Sequence, residues 1–328
     1  MRSFYEKTSK KDVFLCYNGK EWGEHMEAIF VKAMGFILVI LIAFVLKKLK
    51  VLSKRDGQTI ATIIMNVTLP CALLCNASGI TIDISMIFIL LIGLLSNVIM
   101  LIIAYILSCK ESPLVRGYYM INCSGYNIGN FALPFVQTFF PGMGVAYLCM
   151  FDVGNSIMCL GGTYAFAGSI ASAGDKLTIN TLLKKLFSSI PFDVYILIFV
   201  LALFKIQLPG QILSIASFIG AGNGFLAMFM IGLLLEIKIN PSEMKMVMKT
   251  LFIRIFFGVV LMFIVYVLIP IPLLAKKIIV LAMAAPITTV SAVFSRNIGY
   301  HKDAPAIASS LSIIISIVIL TVLIMIFA

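Results

Sequence analysis

The stretch that decides how this chain folds is Asn122-Cys-Ser-Gly-Tyr-Asn127-Ile-Gly-Asn130-Phe-Ala-Leu-Pro134-Phe135. It lies between Arg116 and Asp152, in a window without ionised side chains that is long enough for a membrane span. Two glycines, a proline and three asparagines interrupt its apolar residues. Hydrocarbon offers no partner to the amides or to the backbone groups that a break exposes. We therefore predict a broken transmembrane helix that is buried in protein or lines a cavity.

Composition places the whole chain in a membrane. Of its 328 residues 61% are hydrophobic and 12% are charged, about half the charge of a typical soluble domain. We predict an all-α membrane protein with ten transmembrane helices, at 28–46, 58–78, 84–108, 115–139, 143–171, 190–206, 209–235, 250–269, 274–297 and 304–327. The net charge of +11 is explained by basic cytoplasmic loops rather than by nucleic-acid binding.

The basic residues predict the orientation. Most of them fall in alternate loops: Lys47, Lys48, Lys50, Lys54, Arg55, Lys110, Arg116, Lys176, Lys184, Lys185, Lys238, Lys245, Lys249, Arg254, Arg296 and Lys302. These loops are predicted to be cytoplasmic, with both termini outside the cell. The predicted parts are an N-terminal tail (1–27), a first five-helix repeat (28–171), a cytoplasmic connecting loop (172–189) and a second five-helix repeat (190–328).

An odd number of helices in each half makes the halves inverted repeats, and the prolines agree with this arrangement. Pro134 and Pro286 lie in the fourth helix of each half. Shifting Pro70 along the sequence by the same number of residues that separates these two prolines gives Gly222, beside Asn223. Interrupted spans at corresponding positions point to a binding site at the membrane midplane. If helices 4 and 9 break and cross, their exposed N–H groups and helix dipoles suit a carboxylate. The alternative is that both prolines are simple kinks, with the amides bonded to neighbouring helices.

Two sets of candidate site residues follow. The predicted substrate-binding residues are Asn127, Asn130, Pro134, Pro286, Thr288 and Thr289. The predicted coupling or support residues are Asp152, Asn155, Asn66, Pro70 and Asn223. Among these, an intramembrane carboxylate such as Asp152 marks a proton or ion pathway by default. Its alternative reading is an aspartate near a helix end, bonded to backbone amides or water.

Catalytic patterns are missing from the sequence. It contains no nucleophile elbow, zinc-protease, paired-carboxylate or P-loop motif, so we predict neither an enzyme nor a protein driven directly by ATP. We expect no cofactor and no metal site, with H⁺ or Na⁺ as the candidate coupling ion. The expected partners are a small organic anion and the lipid bilayer, with no nucleic acid; a homodimer is left open.

The residues around the predicted break resemble a known family. Asn122, Asn127, Gly129, Asn130 and Pro134 are similar to the fourth-helix signature of the auxin efflux carriers, in particular the prokaryotic relatives of the plant PIN carriers. The opening (a helix, a basic loop, then a helix with Asn66 and Pro70) is also similar. So is the ending, with Tyr300, Asp303, Ala308, Ser309 and Ser310 before a final apolar helix. The resemblance covers residues 28 to 328.

The resemblance implies crossed, broken helices 4 and 9 and an elevator-like alternating-access motion. It implies organic anions as cargo, dicarboxylates in bacterial members and auxin in plant ones. Pro134 and Pro286 match the family's crossover prolines and Asn130 its crossover asparagine, whereas Thr288 and Thr289 stand where an asparagine is common. We therefore expect a secondary transporter in the cell membrane. A sodium-coupled carrier similar to the bile-acid symporters, a channel and a sensor with the same fold remain alternatives.

Overall fold

The computed structural model describes residues 19–77, 84–171, 179–236 and 241–327, and within these ranges it contains helices and no strands. The helices of the first half are α1 (Gly19–Lys48), α2 (Lys54–Ile63), α3 (Leu69–Ala77), α4 (Ile84–Leu107), α5 (Pro113–Cys123), α6 (Leu133–Phe139), α7 (Met143–Ile157) and α8 (Thr163–Ile170). Those of the second half are α9 (Ile179–Leu186), α10 (Ile190–Leu203), α11 (Gly210–Gly220), α12 (Asn223–Leu234), α13 (Pro241–Leu268), α14 (Leu273–Met283), α15 (Ser291–Asn297) and α16 (Ala304–Phe327).

Seven helical stretches in the described residues are long and apolar enough to cross a membrane. They are Phe30–Lys48, Lys54–Asn76, Ile84–Leu107, Met143–Ile170, Gly210–Leu234, Pro241–Leu268 and Ala304–Phe327. The other three predicted spans correspond to the interrupted pairs α5–α6 and α14–α15 and to the shorter apolar helix α10. The prediction of a helical, multi-pass membrane protein is confirmed. Ten spans arranged as inverted repeats stay a prediction.

Two predicted connecting segments are partly helical. Helix α1 begins at Gly19, so the second part of the predicted N-terminal tail continues into the first span, while residues 1–18 lie outside the described residues. The predicted loop 172–189 contains α9, and its residues 172–178 also lie outside the described part.

The fourth span is interrupted, but its break begins earlier than the sequence suggested. Helix α5 starts at Pro113 behind the Ser112 cap and ends at Cys123, and residues 124–127 are not helical. Gly125 adopts φ +82°, a left-handed conformation that glycine tolerates without strain. Pro134 was expected to cause the break, and this was wrong. It lies in the first turn of α6, where a missing N–H is tolerated.

The ninth span is interrupted at Pro286, as the sequence predicted. Helix α14 ends at Met283 and α15 begins at Ser291. We call residues 124–127 the first break and residues 284–290 the second break. A π-helical turn, Ile128–Ala132, joins the first break to α6. Two further π-helical turns, Ile64–Thr68 and Met158–Gly162, continue α2 into α3 and α7 into α8. Such turns are often found at functional sites.

The helices pack into two groups. Helices α1, α2, α3, α10, α11 and α12 pack mainly on one another, and we call them the frame group. Helices α4 to α8 and α13 to α16 pack mainly on one another and carry both breaks, and we call them the crossover group. Each group therefore takes its helices from both halves of the chain. The groups touch chiefly where α1 meets α16 and where α7 meets α3 and α10.

Candidate functional site

The two breaks meet in the interior of the crossover group. The backbone N–H of Asn127 donates a 3.0 Å hydrogen bond to the carbonyl oxygen of Pro286. Gly125 lies so close to the second break that an added Cβ would come within 3.0 Å of Thr288 Cγ2 and of Cys159 Sγ. A larger residue at this position would push the breaks apart. The chain thus brings together two segments that are more than a hundred residues apart in sequence.

A cavity of about 110 Å³ lies beside this meeting point. Four of the six predicted substrate residues line it: Asn127, Asn130, Thr288 and Thr289. Two of the predicted coupling residues, Asp152 and Asn155, line it as well. Its remaining lining residues are Met65, Leu69, Tyr126, Ile128, Gly129, Ser156, Cys159, Leu160, Ser189, Pro191, Phe192, Tyr195 and Val290. Both helix groups therefore contribute to its wall.

Pro134 and Pro286 do not line the cavity. Both are buried, and they shape the backbone around it rather than face a ligand. The spacing of Asn127, Asn130 and Pro134, at i, i+3 and i+7, predicts that they share one face of a regular helix. That was wrong, because Asn127 precedes the π-helical turn and Pro134 follows it. The two asparagines nevertheless reach the same cavity.

The amides of the two cavity asparagines have free polar atoms. Asn127 Nδ2 and Asn130 Oδ1 are buried and have no hydrogen-bond partner in the part of the chain that the structure describes. A buried polar atom without a partner costs about 1–3 kcal/mol. Rotating an amide by half a turn exchanges its oxygen and nitrogen, so either side chain can present a donor. These atoms are positioned to bond to a molecule that enters the cavity.

Two asparagines hold the first break from the side of α4 and α7. Asn155 Oδ1 accepts hydrogen bonds from Tyr126 N (3.1 Å) and Asn97 Nδ2 (3.2 Å), and Asn155 Nδ2 donates to Tyr126 O (3.0 Å). Asn97 Oδ1 in turn accepts a 2.6 Å bond from Gly125 N. Asn155 thus acts on the backbone of the break. We missed Asn97, although a buried amide inside the apolar α4 was a visible signal.

Asp152 lies inside α7 and is buried, so the alternative placement at a helix end is wrong. Its carboxylate accepts hydrogen bonds from Asn155 Nδ2 (2.8 Å) and from the Tyr195 hydroxyl (2.9 Å). Tyr195 belongs to α10 in the frame group, whereas Asp152 belongs to the crossover group. We did not predict Tyr195, because no pattern in the sequence connects α10 with α7.

Arg254 was predicted as a basic residue of a cytoplasmic loop, and this was wrong. It lies within α13 and is 7% exposed. Its guanidinium donates to carbonyl oxygens at the end of α5 and in both breaks: Cys123 O at 3.0 Å, Gly125 O at 2.7 Å, Ala285 O at 3.1 Å and Pro286 O at 3.1 Å. An arginine between apolar turns of a span is itself a signal of function.

The remaining predicted support residues lie outside the cavity lining. Asn66 is exposed and donates to Thr62 O at 2.7 Å, and Pro70 is buried in α3. Asn223 is buried and accepts a 3.1 Å bond from the Thr68 hydroxyl. The bond between Thr68 and Asn223 connects α12 with the π-helical turn before α3 within the frame group. Their neighbours Met65 and Leu69 reach the cavity instead.

Within the described ranges, no three His, Cys, Asp or Glu side chains come close enough to hold a metal ion. Comparison with known proteins gives one family. A family model described as membrane transport protein matches residues 28–324, which is nearly the whole chain. No curated protein matches the chain.

Proposed function

This chain belongs to the membrane transport protein family, the family of the auxin efflux carriers, and on that basis we propose that it is a secondary active transporter of a small organic anion. The observation that carries the proposal is the cavity where the two breaks meet, with unpartnered amides of Asn127 and Asn130 at its wall. Thr288 and Thr289 add two hydroxyl groups from the second break. Together they offer neutral hydrogen-bond donors to a carboxylate.

The volume of the cavity favours a small cargo. About 110 Å³ corresponds to roughly four water molecules at their volume in the liquid. Drug-sized ligands occupy pockets of about 300 Å³ or more. In the conformation of this structure the cavity suits an acid of a few heavy atoms, such as a short mono- or dicarboxylate. A larger acid requires the two helix groups to separate.

We propose the ten-span topology for the whole chain, with two inverted five-helix repeats and crossed helices 4 and 9. The two breaks, in α5–α6 and in α14–α15, support this topology, because they interrupt corresponding spans of the two halves. The packing supports it as well, since the frame group and the crossover group each combine helices of both halves. The protein would lie in the cell membrane with both termini outside.

For the motion we propose that the crossover group moves against the frame group as a unit. Two ion pairs connect segments of one group: Lys54 pairs at 2.7 Å with Glu236, just after α12 in the frame group, and Lys249 pairs at 3.0 Å with Glu111, just before α5 in the crossover group. The cavity wall contains residues of both groups, so a relative displacement opens or closes it. Such a displacement would expose the anion site to each side of the membrane in turn.

For the coupling we propose a proton carried by Asp152. Asp152 carries the one carboxylic acid among the residues that line the cavity. An anion and an ionised Asp152 in one small cavity repel each other, and low dielectric strengthens that repulsion. The anion therefore binds best when Asp152 carries a proton, which links proton movement to cargo movement. The transport assay must also exclude the alternative, in which sodium rather than a proton is the coupling ion.

Counterflow in proteoliposomes tests the proposed function. Vesicles are loaded with an unlabelled acid, and uptake of the same acid in labelled form is followed with and without sodium. A thermal-shift screen of mono-, di- and aromatic carboxylic acids selects the acid, because a ligand that binds the folded state raises its apparent stability. A carrier gives transient accumulation above equilibrium. Uptake that never exceeds equilibrium and does not saturate would indicate a channel and contradict the proposal.

A further inference from the structure

Backbone carbonyls from both breaks converge on one positive charge. Cys123 is the last residue of α5, and Gly125 follows it in the first break; Ala285 and Pro286 follow the end of α14 in the second break. All four carbonyl oxygens accept hydrogen bonds from Arg254, at 2.7 to 3.1 Å. The last carbonyls of a helix have no partner within it and carry its negative dipole end. Cys123 O belongs to the end of α5, and the other three carbonyls lie in the unwound segments just beyond α5 and α14, so both helix ends face a single guanidinium.

Backbone carbonyl oxygens are the main groups that balance the positive charge of Arg254. The ion pairs found among the described residues join Lys54 to Glu236 and Lys249 to Glu111, and neither includes Arg254. The guanidinium also lies over the face of Tyr126, whose ring centroid lies 5.0 Å from Arg254 Cζ. Burying a charge without a carboxylate is costly unless its hydrogen bonds are well satisfied. The four carbonyls meet that requirement.

The same chemistry binds alkali cations in other transporters. Where a transmembrane helix is unwound, its exposed carbonyls and half-helix C-terminal ends commonly coordinate a sodium ion. Here a guanidinium from α13 fills that position, with Nη1 bonded to the last residue of α5 and Nη2 bonded to both breaks. Unlike sodium, this cation is covalently attached and cannot leave in a transport cycle.

We propose that Arg254 is a tethered cation that takes the place of a coupling sodium ion at the crossover. As a positioning residue, it holds the two breaks together through their carbonyls. Pro286 O accepts bonds from both Arg254 Nη2 and Asn127 N, so the guanidinium fixes the asparagine that faces the cavity. The guanidinium moves together with the anion site during transport. A sodium ion is therefore not needed at the crossover. The consequence for coupling rests on the proposed transport function, whereas the cation site itself does not.

The test uses purified protein without substrate, so it is independent of whether transport is observed. Melting temperatures are measured in sodium chloride and in choline chloride at equal ionic strength. We expect wild-type protein to melt at the same temperature in both salts. We expect Arg254→Ala to melt lower, and guanidinium chloride at millimolar concentrations to raise its melting temperature with the logarithm of concentration. Urea, the neutral analogue, should not do so.

Arg296→Ala is the matched control, because Arg296 is an exposed arginine near the end of α15 in the same span as the second break. Its melting temperature should not respond to guanidinium. If Arg254→Ala gives no folded protein, Arg254→Lys and Arg254→Gln decide the question. We expect the charged lysine variant to be the more stable of the two. Equal stability of these variants, a sodium-stabilised wild type, or an Arg254→Ala protein indifferent to guanidinium would overturn the proposal.

If the tethered cation is confirmed but counterflow fails, the proposed transport function is wrong and the cation site stands. If counterflow succeeds and depends on sodium, the function stands and the tethered cation no longer explains the coupling. The two proposals therefore fail separately.

Discussion

The hydroxyl of Tyr195 donates a 2.9 Å hydrogen bond to Asp152 Oδ2, and this bond joins the frame group to the crossover group. Both residues line the cavity in which we place the anion. The bond has to break or lengthen if the crossover group slides along α10. Protonation of Asp152 changes both this hydrogen bond and the charge of the cavity. The pair therefore links protonation to motion.

Replacing Asp152 with asparagine should abolish pH-driven uptake and leave exchange of the bound acid intact. The asparagine keeps most of the shape, and its one side-chain oxygen can accept from Asn155 or from Tyr195, but it cannot release a proton. The titratable neighbours Tyr195, Cys149 and Cys159 remain unchanged in this variant. Uptake driven by an imposed pH gradient and exchange at equal pH are compared in the same vesicles.

Asp193→Asn is the control for that variant, since Asp193 is an exposed aspartate on α10. It should retain the pH dependence of the wild type. An Asp152→Asn protein that still responds to the pH gradient like the wild type would rule out Asp152 as the proton carrier.

Replacing Tyr195 with phenylalanine removes only the hydroxyl that bonds to Asp152. Losing a partner of a buried charged group costs about 1–3 kcal/mol, and we expect the free energy of unfolding to fall by that order. We also expect the transport rate to change more than the affinity for the acid, because the bond lies between the moving groups. Denaturation and initial uptake rates measure these effects. Tyr105→Phe, at an exposed ring, should change neither; equal effects of the two variants would contradict the assignment.

Replacing Gly125 with alanine should damage the crossover through two separate effects. The left-handed backbone at φ +82° is strained for alanine, and its Cβ would lie 3.0 Å from Thr288 Cγ2. Strain alone costs about 1–2 kcal/mol. Gly142 provides the matched control, because it has φ +69° and no atom within 4 Å of an added Cβ.

The alanine variants at Gly125 and Gly142 are compared by melting temperature and by uptake. Gly142→Ala should show the cost of strain with transport largely preserved, whereas Gly125→Ala should lose more stability and most of its transport. Equal losses in the two variants would mean that the contact with Thr288 is unimportant.

The sequence alone predicted the parts of this site that depend on local chemistry. Pro286, the asparagine amides and Asp152 are anomalous within apolar segments whatever surrounds them, so the interrupted spans and six cavity residues could be found. The position of the first break could not. Proline is compatible with the first turn of a helix, and the break instead depends on the left-handed turn at Gly125.

The residues that the sequence did not reveal are placed by packing between distant helices. Asn97, Tyr195 and Arg254 act on the breaks or on Asp152 from α4, α10 and α13. No spacing rule connects them with residues so far away along the chain. Arg254 is the clearest case, because its charge was counted toward the orientation of the loops although its side chain satisfies carbonyls inside the membrane protein.

The most direct test of the central claim is the affinity for the selected acid in Asn127→Ala and Asn130→Ala, measured by titration of purified protein. A hydrogen bond to a charged group contributes about 1.5–3 kcal/mol, so each variant should bind about 10- to 150-fold more weakly. Asn66→Ala, whose exposed side chain lies outside the cavity lining, should bind like the wild type. Folded Asn127→Ala and Asn130→Ala proteins that bind the acid as tightly as the wild type would contradict an anion site at the crossover.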